Sequence, residues 1–127
     1  MVKEPKEHWK TEPEDQDFPA ARTYLSLLLE PERAKRLARA LERATTLEYF
    51  MAKDILRASG LALLDADNKE VSKDLGKVDS GIKLSPVLLV RGTPLWVADG
   101  YHRVCASYHL DENAAIPCRI VGRDKAT

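Results

Sequence analysis

Leu95-Trp96-Val97-Ala98-Asp99-Gly100-Tyr101-His102-Arg103-Val104-Cys105-Ala106-Ser107-Tyr108 passes from a strand-like run, through a glycine, into a helix-like run. A helix entered in this way aims its unpaired N–H groups at whatever lies in front of it, and such an end favours anions. Gly100 lets a phosphate approach without a Cβ in the way. Arg103 can grip two oxygens at once, and His102 adds a donor whose charge depends on its surroundings. Asp99 works against an anion unless it binds a metal, pairs with Arg103 or His102, or takes a proton from a hydroxyl nucleophile. The plain alternative is that Asp99 caps the helix and Arg103 pairs with it.

Upstream, Pro86-Val87-Leu88-Leu89-Val90 is a short, continuously apolar run. With the turn Arg91-Gly92-Thr93-Pro94 it predicts a hairpin to the strand at residues 95–98. Downstream, Asp111-Glu112-Asn113 breaks the helix and residues 116–121 return as a third strand.

The first half reads as helical. Ala21, Tyr24, Leu25 and Leu28 form one apolar face from Pro19 onward, and after Pro31 the residues Ala34, Leu37, Ala38 and Leu41 repeat the pattern. The opposite face of that second helix, Arg33, Lys35, Arg36, Arg39, Glu42 and Arg43, is strongly basic, either a solvated surface or a nucleic-acid surface. Thr45-Thr46-Leu47-Glu48 fits a capping box and predicts a third helix ending at Ser59-Gly60, with Lys53, Asp54 and Arg57 on its polar side. Lys53 and Arg57 are one turn apart, so both can face one anion. Asp67-Asn68 offers a cap for a fourth helix carrying Val71, Leu75 and Val78, with Lys69, Ser72 and Lys73 in its first turns and Gly81 as its stop. Gly76 inside this helix suggests a close approach by a backbone or ligand.

Residues 1–16 are charged and proline-punctuated, which predicts a mobile tail holding His8 and Trp9, ahead of one domain over residues 17–127. Twenty basic residues balance twenty acidic ones among 127, so the field that non-specific nucleic-acid binding relies on is lacking. Nucleic acid is not the expected partner. No apolar run reaches the roughly 18 residues of a membrane helix, and no signal-peptide core is visible; a cytoplasmic protein with reduced, buried Cys105 and Cys118 is expected. His102 and His109 lie about 10.5 Å apart along one helix, too far to share a metal.

The order of helix, hairpin, Asp99-Gly100-Tyr101-His102-Arg103, helix and closing strand resembles the ParB/sulfiredoxin-like superfamily over about residues 68–122. The resemblance implies an α+β fold, a helical N-terminal half packed on a small sheet, with nucleotide phosphates bound at the turn before the helix. In that superfamily sulfiredoxins bind ATP through a Gly-Cys-His-Arg run, ParB proteins bind CTP through a Gly-Glu-Arg-Arg-like run, and a free-serine kinase uses an Asp-Gly-His-type run. Carried over by position, Gly100, His102 and Arg103 bind phosphate, with Tyr101 among them, and Asp99 resembles the acid of the kinase-like branch. Lys69, Ser72 and Lys73 are the counterparts of basic and hydroxyl residues on the preceding helix. Tyr101 stands at the sulfiredoxin cysteine and Cys105 is displaced by a turn, so sulfinic-acid repair is not expected. Only six residues follow Val121, so the helix-turn-helix and dimerising tail of partition proteins are not expected either.

The resulting expectation is a small nucleotide-binding protein using ATP, ADP or CTP. Asp99 and His102 are its candidate catalytic residues, and magnesium is held by Asp99 or Asp54. Phosphoryl transfer to a small hydroxyl substrate or nucleotide hydrolysis would follow. The alternative is a non-catalytic module whose pocket regulates a protein partner.

Overall fold

The computed structural model describes residues 8–127. Those residues form five α-helices and one four-stranded mixed sheet, an α+β fold. The elements are α1 (Asp17–Leu25), α2 (Pro31–Arg43), β1 (Glu48–Met51), α3 (Ala52–Ser59), α4 (Lys69–Asp79), β2 (Val87–Arg91), β3 (Trp96–Asp99), α5 (Tyr101–Leu110), β4 (Ala115–Gly122) and a terminal 3₁₀ turn (Arg123–Ala126).

The strand order is β1-β4-β2-β3. β2 and β3 make the expected antiparallel hairpin, with Leu89 opposite Val97, while β4 returns parallel to β2, with Leu89 opposite Ile120. A strand that is apolar at every position must bury both faces. β2 does so: Val87 and Leu89 pack towards α3, α4 and α5, and Leu88 and Val90 pack towards α1 and α2. α1 and α2 therefore cover one side of the sheet, and α3, α4 and α5 the other. Among the described residues no helix is long and apolar enough to cross a membrane.

Two helix ends follow local chemistry closely. The Asn68 side chain accepts from the N–H groups of Glu70 and Val71, and Gly60 closes α3 with φ +73°. The C-terminus of α2 is closed from elsewhere: buried Arg119 of β4 donates Nη1 to the carbonyls of Leu41 and Glu42 at 3.2 and 2.8 Å. Both cysteines are buried and unpaired.

Several expectations are corrected. The capping box at Thr45 does not operate, because Glu48–Met51 is a strand paired antiparallel with β4, Tyr49 opposite Pro117. Tyr49 and Phe50 are good strand formers once a partner exists, and tertiary pairing overrides the local cap signal. α3 accordingly starts at Ala52 with no side-chain cap. α1 ends at Leu25, which leaves Leu28 exposed beyond it. A Cβ on Gly76 would meet nothing within 4 Å, so no close neighbour explains that glycine. Of the expected tail, residues 1–7 lie outside the described residues, but Trp9 is core, only 5% exposed. The Lys10 N–H donates to the Leu84 carbonyl at 2.7 Å and the Leu84 N–H to the His8 carbonyl at 2.8 Å, seating the indole on the α3–α5 side of the sheet.

Candidate functional site

β3 ends at Asp99 and the chain turns at Gly100 with φ +106°, a conformation open to glycine and strained for other residues. A Cβ there would lie 2.9 Å from Arg103 Nη2 and 3.0 Å from Val87 Cγ2, so this glycine both makes the turn and makes room for the arginine. The Val104 N–H takes the Gly100 carbonyl at 3.0 Å, which leaves the amides of residues 101–103 without partners inside the helix. No side chain caps them.

Asp99 faces inward. Its Oδ2 accepts from Arg103 Nη2 at 3.1 Å, and the same nitrogen donates to the Pro86 carbonyl at 3.2 Å. Arg103 Nε is buried with no hydrogen-bond partner. Burial pushes the Asp99 carboxyl up, Arg103 opposes that shift, and the neighbouring carboxyl of Asp17 adds to it. Asp17, 5% exposed at the start of α1, accepts the Glu14 N–H at 2.9 Å. The helical half thus delivers a second acid to the back of this turn.

In front of the turn lies a cavity of about 210 Å³ between α4 and α5, lined by Glu70, Lys73, Asp74, Lys77 and residues 99–103. Six expected site residues meet here: Asp99, Gly100, Tyr101, His102, Arg103 and Lys73. Lys69 and Ser72 are exposed on α4 and do not line it. Lys53, Asp54 and Arg57 are not brought to it either. Arg57 pairs with Asp54 at 3.0 Å, and Asp54 borders a separate, largely apolar cavity of about 250 Å³ with Phe50, Ile55 and Leu95.

Glu70, Asp74 and Lys77 were not singled out from the sequence. The signal was present as two i, i+4 rows, Glu70 with Asp74 and Lys73 with Lys77, which share one face of α4. Burial pushes the Asp74 carboxyl up, against the pull of Arg103, Lys77 and His102. Burial thus raises two of the three acids on the wall, Asp74 and Asp99, and the cations Lys73, Lys77 and Arg103 stand among them, Lys77 4.0 Å from Asp74.

Other groups at the turn are committed. The Tyr101 hydroxyl donates to the Ala62 carbonyl and His109 Nε2 to the Leu64 carbonyl at 2.7 Å, so α5 ties down the segment between α3 and α4. Burial pushes the Cys105 thiol up, which suppresses its thiolate. Among the described residues no three His, Cys, Asp or Glu side chains converge to hold a metal ion. Comparison with known proteins gives no match: no protein-family model, no curated protein and no solved structure resembles the chain closely enough to count.

Proposed function

We propose that the chain is a nucleotide-binding protein of ParB/sulfiredoxin-like type that takes phosphate groups into the cavity in front of Gly100. The observation that carries this reading is the uncapped N-terminus of α5, opening into a cavity flanked by Lys73, Lys77, His102 and Arg103. A cavity of about 210 Å³ is smaller than the usual ligand pocket, so it suits a phosphate chain with the nucleoside lying outside. Magnesium accompanying the nucleotide would be met by Asp99 or by water.

A general base must have a free oxygen within reach of the proton it takes, and one Asp99 oxygen is already held by Arg103. That contact favours the second reading, a module that binds nucleotide and passes the signal to a protein partner without turnover.

Isothermal titration with ATP, ADP, CTP and inorganic phosphate, with and without magnesium, tests the proposal. Binding of a nucleotide, lost in the double variant Lys73→Ala/Lys77→Ala, is the expected result. Lys73 is exposed, whereas Lys77 is half-buried and 4.0 Å from Asp74, so circular dichroism of the double variant checks that the fold is kept. Absence of binding at millimolar ligand, or binding indifferent to the double substitution, overturns the site. Phosphate release that survives Asp99→Asn rules out Asp99 as the base.

A further inference from the structure

A second cavity, an open groove of about 530 Å³, lies between α1 and α2 and shares no lining residue with the α5 turn. Arg22 of α1 and Lys35 and Arg39 of α2 line it, and among the described residues none of the three is in an ion pair. Its acids, Asp15 and Glu42, precede α1 and end α2. The helices are joined by the short turn at residues 26–30, so Asp15 and Glu42 sit at the end remote from that turn, Arg22 and Lys35 nearer to it, and Arg39 between, one helical turn from Glu42.

The turn itself is apolar. Leu27 is 82% exposed and Leu28 43% exposed. The hydrogen bonds Ser26 N–H to Arg22 and Leu27 N–H to Tyr24 carry the helical path of α1 onward. Leu27 and Leu28 follow closely on Arg22 and Thr23, which line the groove, so exposed leucine adjoins three cations that make no ion pair among the described residues.

We propose that this surface docks an acidic amphipathic helix of a partner protein. Lys35 and Arg39 are four residues apart, about 6 Å along the axis, the spacing of glutamates at i and i+4 on a facing helix. Leucine at the tip gives such a helix an apolar anchor, as helix-in-groove recognition requires. The chain's zero net charge and the acids at the far end argue against nucleic acid, whose backbone offers no charge to match Asp15 and Glu42.

Fluorescence anisotropy tests this with a labelled helical peptide carrying glutamates at i, i+4 and i+8 beside a leucine stripe, and with a single-stranded oligonucleotide of equal charge. The peptide binds, and Lys35→Glu/Arg39→Glu weakens it by more than about tenfold. Leu27→Ser weakens it as well, and Lys77→Ala leaves it unchanged. Leu27 and Arg39 are exposed and Lys35 and Lys77 half-buried, and circular dichroism of each variant checks that the folded state is retained. No peptide binding overturns the proposal, as does tighter binding of the oligonucleotide or indifference to Leu27→Ser.

Discussion

Asp99 and Arg103 face each other at 3.1 Å across the first turn of α5, with 18% and 16% of their side chains exposed. The pair is neither a solvated surface bridge nor a dry one, and Asp17 behind it makes it acid-rich. Asp74 and Asp99 both have their carboxyls pushed up by burial, so acidification strips negative charge from the cavity before it affects ordinary carboxylates. Sulfate, which keeps its charge down to the carboxylate range, is expected to bind more tightly as the pH falls through the raised carboxyl values, and Asp74→Asn flattens that profile.

The lysines on α4 separate site from surface. Lys73→Ala and Lys77→Ala should each weaken phosphate binding several-fold, on the order of 1 kcal/mol for one charge-assisted contact. Lys53→Ala and Arg57→Ala should leave it unchanged, since neither borders the cavity. Titration calorimetry on all four variants checks the contrast.

Gly100→Ala places a Cβ against Arg103 and Val87 in a backbone conformation with φ +106°. The expected cost is about 1–3 kcal/mol, read from urea unfolding. Displacement of the Arg103 guanidinium should weaken sulfate binding in the same variant.

Asp74 gives a stability signature with a definite sign. Its folded-state carboxyl value is raised, so its contribution is complete below the unfolded value of 3.8 and is lost as the pH rises through the folded value. Asp74→Asn should therefore raise the melting temperature at pH 7. The gain should vanish below pH 3.8.

Trp9→Ala removes a core indole and should cost about 3–5 kcal/mol. A mobile arm would show no change in urea unfolding.

The strand, turn and helix at residues 95–108 were legible because their signals are consecutive: apolar strand, glycine, helical period. Asp99, Gly100 and Arg103 then meet by local geometry alone. Lys77 was not legible in the same way, since Lys69, Lys73 and Lys77 follow one another along α4, and only packing against α5 decides which turns of that helix border the cavity. Asp17 was hidden for a stronger reason, being brought to Asp99 by the packing of α1 beside β3, which no window of sequence contains. β1 and Trp9 failed likewise, each depending on a distant backbone, β4 for one and Leu84 for the other.

β4 also sets an order of events during synthesis. β1 pairs with no strand but β4 among the described residues, and β4 lies between β1 and β2. β1 therefore waits, unpaired, until residues 115–122 have emerged from the ribosome, while β2 and β3 can already form their hairpin. Folding is completed by the last strand rather than begun by the first, and a nascent chain stopped before Ala115 would expose Tyr49 and Phe50 on an open edge to chaperones and to other nascent chains.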